Sequence, residues 1–217
     1  MKNKKSYYDG RRPDVVDFLP TSVNKVLEIG CASGGFRANL GECEYWGVEY
    51  VESVANEAKN KLDTVLIGTF EEVYDQLPDN YFDTVICNDV IEHMADHDLF
   101  FEKIKAKMTA HSKILGSVPN VRYVDNLKEL IFKKEWQYRD GGILDRTHLR
   151  FFTYKNLQKT LIEHNYKIET LEGINSALPK KITRIGRASS LRRLLVLLFG
   201  SDTKFLQFYF VAALDKL

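Results

Sequence analysis

The segment VLEIGCASGGF, Val26 to Phe36, is a short apolar run that ends in a turn bracketed by Gly30 and Gly34. Glycines there let the backbone approach a ligand with no Cβ in the way. The turn is expected to feed a helix from about Gly35, whose free N–H groups would favour a negative group such as a carboxylate. Nineteen residues past Gly30 stands Glu49, at the end of the next apolar run. A carboxylate at that spacing is placed to accept hydrogen bonds from ribose hydroxyls. Turn and acid together point to a nucleoside ligand, a feature shared with dinucleotide-binding dehydrogenases.

The elements that must position these groups follow from the pattern. Short apolar runs alternate with amphipathic ones, which predicts β-α units and a parallel sheet. Strands are expected over Lys25–Ile29, Tyr45–Glu49, Thr64–Ile67, Phe82–Cys87, Lys113–Val118, Tyr166–Leu171 and Phe205–Ala213. Helices are expected over Ser53–Leu62, Glu71–Leu77, Asp96–Met108 (Leu99, Phe100, Ile104 and Met108 sharing one side), Arg122–Phe132 and from Thr153 to His164. The fold class is therefore α/β: a doubly wound, Rossmann-like, seven-stranded and mostly parallel sheet with helices on both faces. Residues 1–217 are expected to form one domain, with an insertion over 122–152 and a basic helical insertion over 174–204 before the last strand. Ligands of such sheets sit outside the carboxyl ends of the strands, where strand order reverses.

Four stretches, VLEIGCASG, GVEYVESV, FDTVICNDVIEHM (Phe82 to Met94) and KILGSVPNV (Lys113 to Val121), resemble class I S-adenosylmethionine-dependent methyltransferases in order and spacing. The third is the most specific, because a dehydrogenase has no reason to carry it. LDRTHLRFFTYKNLQKTLIEHNYKI, Leu144 to Ile168, is similar to a stretch in bacterial methyltransferases acting on sugars or surface-polysaccharide intermediates. The resemblance implies S-adenosylmethionine as cofactor. Glu28 and the turn of Gly30, Ala32 and Gly34 would face its methionine part, Glu49 its ribose, and Tyr50 its adenine. Thr69, Phe70 and Glu71 would lie at the adenine edge, and Asn88 and Asp89 at the ammonium or the reacting methyl. Two positions depart from the family. Ala32 replaces the middle glycine of its G-x-G-x-G, a costly change if that residue needs positive φ. Thr69 replaces a common aspartate and still offers a hydroxyl.

Methyl transfer from a sulfonium is an in-line displacement, so the protein mainly aligns the partners and excludes water. A base matters when the acceptor is a hydroxyl or a protonated amine. His148, in the segment where the family places its acceptor, and His93 are the candidate catalytic residues. Their alternatives are a loop histidine bonded to Asp145 or backbone, and a cap. His97, His111 and His164 read as solvated. Asp145, Arg146 and Arg150 suit a phosphate or sugar acid, or else a salt-bridged lid. The resemblance alone implies an N-terminal flap over 1–20, to which Tyr7, Tyr8, Arg11 and Arg12 would belong. No metal is expected: Asp89, Glu92, His93, Asp96 and His97 read as capping and solvated charge at a helix start.

The acceptor is expected to be a small molecule or glycan, including a bacterial cell-surface polysaccharide intermediate, methylated on oxygen or nitrogen. The alternatives are a non-catalytic binding or assembly module and an RNA methyltransferase. The chain carries 31 basic and 30 acidic residues, which argues against nucleic acid as a partner. Locally, Lys180, Lys181, Arg184, Arg187, Arg192, Arg193 and Lys204 face only Asp202. Within that stretch Ser189 to Phe199 (SSLRRLLVLLF) reads as a helix that packs on the sheet or across a homodimer, or meets an anionic membrane at the inner surface. Cys31, Cys43 and Cys87 show no ligand or disulfide spacing, and no apolar leader follows the basic start, so a cytoplasmic location is expected.

Overall fold

The computed structural model describes residues 11–178 and 187–214, with the backbone alone for 187–189. Apolar side chains alternate along the strands and so divide into two clusters, one on each face of a sheet. In β1 (Lys25–Ile29), Leu27 and Ile29 join one cluster while Val26 joins the other. The same alternation separates Val85 and Cys87 from Ile86 in β4 (Phe82–Asn88), and Phe208 and Phe210 from Tyr209 in β7 (Phe205–Leu214). Strands buried on both faces in this way belong to a sheet covered on both sides.

The remaining strands are β2 (Glu44–Glu49), β3 (Thr64–Ile67), β5 (Met108–Pro119) and β6 (Tyr166–Ser176). Their order is β3-β2-β1-β4-β5-β7-β6. The first five are parallel, and β7 runs antiparallel between β5 and β6. The doubly wound, mostly parallel sheet read from the sequence is the fold found. Strand order reverses between β1 and β4, so the crevice lies where Gly30 and Asn88 leave the sheet.

The helices are α1 (Glu52–Ala58), α2 (Phe70–Val73), α3 (His97–Lys107), α4 (Val124–Lys128), α5 (Tyr154–Glu163) and α6 (Arg187–Phe199). Asp96 caps α3 by accepting from Leu99 N–H at 2.9 Å. Thr153 caps α5 in a reciprocal pair with Asn156. Phe100, Phe101, Ile104 and Met108 are buried under the sheet, whereas Leu99, expected on that side, is exposed. No helix among the described residues is long and apolar enough to cross a membrane.

Three predicted elements come out differently. In place of a helix from Gly35 there is a single 3-10 turn, Gly35–Asn39. Only five residues separate Gly35 from Gly41, and glycine at both ends leaves too few good formers to propagate a helix. The helix expected over Arg122–Phe132 is α4 followed by a π-type turn, Glu129–Lys133. Finally, α6 is not a buried helix: Leu195 is 3% exposed, but Leu194, Leu197 and Leu198 all face outward. It is fastened to the rest of the chain by Arg192, which donates to both carboxylate oxygens of Asp125 at 2.9 and 2.6 Å. Lys180, Lys181 and Arg184 of the basic stretch lie outside the described residues.

Truncation separates the two kinds of leucine on α6. Leu195→Ala is expected to lower the unfolding free energy by about 2–3 kcal/mol in a denaturant titration. Leu197→Ala, at an 81% exposed position, is expected to change it by less than about 0.5 kcal/mol.

Candidate active site

The turn after β1 is held from below by the end of β2. Gly30 and Cys31 N–H both donate to the Val48 carbonyl, and Gly34 N–H donates to Cys31 O. Gly30 has φ +70°, and a Cβ there would come within 2.9 Å of Val90 Cγ2, so both sterics and backbone require glycine. Ala32 has φ +46°, the left-handed region in which a Cβ costs roughly 1–2 kcal/mol. It is kept there by Glu49, whose Oε2 accepts from Ala32 N–H at 3.0 Å while Oε1 accepts from Val51 N–H at 2.9 Å. Glu49 therefore braces the turn, and each of its oxygens still has lone-pair capacity for a further donor.

Glu28 lies beneath this turn and accepts from the Tyr45 hydroxyl at 2.9 Å. Burial, opposed by that hydrogen bond and reinforced by the charge on Glu49, pushes its pKa up to about 8. Tyr50 stands exposed just past β2. Thr69 caps α2: its hydroxyl accepts from Glu72 N–H, and its own N–H donates to Glu72 Oε2 at 2.8 Å. The hydroxyl offered in place of the family's aspartate is thus already engaged. Phe70 is buried in the core edge-on to Phe100 and Tyr74, whereas Glu71 is exposed.

At the end of β4, Asp89 has φ +51° and its carboxylate, on a side chain still 33% exposed, is tied to three neighbours. Ser117 donates to it from β5 at 2.9 Å and Gln207 from β7 at 2.6 Å, and Arg12 pairs with it from the N-terminal segment. Burial raises the Asp89 pKa and Arg12 pulls against that rise. Arg12 also pairs with Asp14 at 3.0 Å, so the flap residue named in the sequence reaches the strand ends. Tyr7 and Tyr8 lie outside the described residues. Asn88 differs from its neighbour: both atoms of its side-chain amide are buried with no hydrogen-bond partner in the protein.

Sequence reading did not anticipate that the two candidate catalytic histidines meet. The Glu92 carbonyl accepts from Leu149 N–H at 2.8 Å and from Arg150 N–H at 3.0 Å. The Arg150 guanidinium donates to the Ala95 carbonyl. These bonds bring the segment around His148 onto the turn that follows β4. The His93 and His148 rings lie edge to face, with centroids 4.7 Å apart. His93 Nδ1 donates to Thr147 O at 3.1 Å and His148 Nδ1 to Ile143 O at 2.9 Å. A carbonyl can only accept, so each Nδ1 carries a proton, and in the neutral ring the lone pair then belongs to Nε2. Burial lowers the His93 pKa, against the pull of the Thr147 carbonyl.

Glu92 brings a carboxylate oxygen within 4.8 Å of a ring nitrogen of each histidine and is only 1% exposed. Neither of its oxygens has a hydrogen-bond partner, and His148 Nε2 lies 4.0 Å from Oε1. Burial, and then the charge on Asp89, push its pKa well up. Its reading as solvated helix-start charge is corrected, since the carboxylate lies inside the protein. The rest of that acidic-histidine run disperses, with Asp96 capping α3 and His97 edge-on to Phe152. His164, read as solvated, is held between Asp98 (2.9 Å) and Glu102 (2.7 Å). His111 is exposed as expected.

Of the acceptor-side trio, Asp145 turns its own loop by accepting from the Thr147 N–H and hydroxyl at 2.9 and 2.6 Å. Arg146 is exposed and pairs with Asp140 at 3.2 Å, while Arg150 is spent on backbone carbonyls of Ala95 and Leu149.

Residues 6–171 match the family model described as a methyltransferase domain. No curated protein matches the sequence. Among solved structures, an S-adenosylmethionine-dependent methyltransferase from Archaeoglobus fulgidus is similar at 19% identity, TM-score 0.66, over 96% of this chain and 94% of that one. One from Mesorhizobium loti aligns at 15% identity, TM-score 0.64, over 94% and 97% of the two chains. A Haloferax volcanii complex between the Trm112 methyltransferase activator and a methyltransferase aligns at 14% identity, TM-score 0.65, covering 98% and 92%. These likenesses show the same fold.

Two measurements check the turn. Ala32→Gly removes the left-handed strain and is expected to raise the unfolding free energy by about 0.5–1 kcal/mol, net of glycine's greater freedom when unfolded. For Glu28 the folded pKa of about 8 lies above the ordinary carboxylate value, so the folded state holds the extra proton. Its contribution is full in acid and lost as pH rises toward 8, at no more than about 1.4 kcal/mol per pH unit. Glu28→Gln is expected to flatten that decline in unfolding free energy between pH 5 and about 8; parallel curves for the two proteins would refute it.

Proposed function

The chain belongs to the methyltransferase domain family, and from that premise we propose that it methylates an oxygen or nitrogen of a small-molecule or glycan acceptor, including a bacterial cell-surface polysaccharide intermediate. It is an S-adenosylmethionine-dependent methyltransferase, and that cofactor is the methyl donor. The observation that carries the acceptor side is the meeting of His93 and His148, each with its Nδ1 proton on a backbone carbonyl, against the end of β4.

In this reading the cofactor lies across the crevice between β1 and β4. Its ribose hydroxyls donate to Glu49, which keeps lone pairs for them while bracing Ala32. Asn88, whose buried amide has no protein partner, meets the methionine end together with Glu28, Gly30 and Gly34. Asp89 acts there through Arg12 and the strands it ties together. Tyr50 flanks the adenine, and Thr69, Phe70 and Glu71 offer backbone groups at its edge. The acceptor enters beside the histidines. Its proton passes to an imidazole Nε2 as the acceptor atom bonds to the methyl carbon. The bound cofactor would supply the methyl group in that same step, its C–S bond breaking as the new bond forms and the electron pair staying on sulfur as S-adenosylhomocysteine. Arg146, Asp145 and Arg150 shape the mouth of that entry, Arg146 being the one whose partner is itself exposed. The outward leucines of α6 suit an apolar surface outside the chain, a second copy or the boundary of a membrane bearing a lipid-linked acceptor.

The cofactor reading is tested by calorimetric titration of S-adenosylmethionine and S-adenosylhomocysteine. Wild type is expected to bind both with micromolar affinity, and Glu49→Ala at least tenfold more weakly. No binding by well-folded wild type would remove the site assignment. The acceptor reading is tested by methyl transfer from labelled cofactor to sugar-nucleotide and glycolipid acceptors. His148→Ala is expected to lower kcat about 100-fold or more with cofactor affinity unchanged; unchanged kcat would exclude it from the chemistry.

A further inference from the structure

We propose that Glu92, His93 and His148 form a binding site for one divalent first-row transition metal ion on the acceptor side of the crevice. The inference deepens the acceptor reading and rests on it: the imidazoles then act on the acceptor through a cation.

Each of the three side chains brings one ligand atom, and these atoms all lie within 4.8 Å of one another. Two atoms that each stand about 2.1 Å from a common ion are roughly 3–4 Å apart. The 4.0 Å between His148 Nε2 and Glu92 Oε1, too long for a hydrogen bond, falls within that range. Drawing in the widest pair takes a shift of roughly 1 Å. The two histidines are prepared as ligands, since each gives its Nδ1 proton to a backbone carbonyl and keeps Nε2 for an ion, that of His148 lying 4.0 Å from the Glu92 carboxylate. Such carbonyl partners orient metal-binding imidazoles and fix their tautomer.

Glu92 supplies the independent observation. A carboxylate that is 1% exposed, with neither oxygen hydrogen-bonded, is costly to keep unless a cation or donor meets it. The two segments are locked together by the Leu149 and Arg150 N–H groups on the Glu92 carbonyl, so the three ligands are held by backbone bonds. Two imidazoles and one carboxylate suit zinc, manganese, cobalt or iron better than calcium or magnesium. Three protein ligands leave coordination positions open. An acceptor hydroxyl bound at one of them would lose its proton to water more readily. Its oxygen then takes the methyl group while the C–S electron pair remains on sulfur.

The test is isothermal titration of Mn2+ and of Zn2+ into the full chain, stripped with chelator and buffer-exchanged. The expected result is one ion per chain, with affinity reduced at least tenfold in Glu92→Gln and in His148→Ala and unchanged in Asp96→Asn. Thermal unfolding of each variant confirms that it is folded, and bound ion is expected to raise the wild-type Tm. Failure of folded wild type to bind either ion at one per chain would overturn the site, as would wild-type affinity in Glu92→Gln and His148→Ala. Cofactor titration and methyl transfer in excess chelator keep the two readings apart. Full turnover without a bound ion overturns the metal site and leaves the imidazole base standing. Stoichiometric ion binding with no cofactor binding would instead fault the site assignment under the methyl-transfer reading.

Discussion

Asp89 is the point at which the sheet and its crevice are tied together. Its carboxylate, at the last turn of backbone leaving β4, takes hydrogen bonds from β5 through Ser117 and from β7 through Gln207, and pairs with Arg12 of the N-terminal segment. A carboxylate partly removed from water is kept charged by such partners. One side chain therefore fixes three neighbours around the crevice, and it does so from a left-handed backbone that redirects the chain away from the sheet. Everything that follows β4, including the turn bearing Glu92 and His93, starts from that geometry.

A division of labour runs through the crevice. Backbone groups do the holding: the Val48 carbonyl carries the glycine turn, and the Glu92 carbonyl carries the His148 segment. Some side chains hold as well, with Glu49 bracing Ala32 and Arg150 reaching Ala95. This leaves Asn88 and Glu92 with buried polar atoms that no protein group satisfies. Native proteins keep few such atoms, each costing about 1–3 kcal/mol. Four of these atoms gather at the carboxyl end of β4; the Tyr209 hydroxyl of β7 is the other among the described residues.

The strands were legible in the sequence because burial on both faces leaves short, nearly continuous apolar runs. β1 and β3 lie where the pattern put them, and β2, β4 and β7 differ by one residue at an end. The caps Asp96 and Thr153 were legible from residue type alone. The turn after β1 was legible as a turn but not as an end, since Gly35 and Gly41 stop the helix that the pattern suggests. His93 and His148 were each legible as candidates. Their meeting was not, because it depends on two backbone hydrogen bonds to Glu92 across 55 residues or more of chain. Glu92 carried a signal that points the wrong way, as a charged residue at a helix start is usually solvated. Arg150 had the residue type for an anion but is committed to carbonyls, a choice no spacing rule reveals.

The position of β7 has a consequence for the order in which this molecule can be assembled. Phe205–Leu214 is an interior strand that joins β5 to β6, and β6 pairs with nothing else in the sheet. On a ribosome, β5 emerges with one edge open, and the whole of β6 emerges without a partner. Both wait until nearly the last described residue has left the exit tunnel. Open edges of that kind invite pairing with other chains. The half of the sheet carrying β1 to β4 can close early, whereas the half that seats Ser117 and Gln207 against Asp89 closes last.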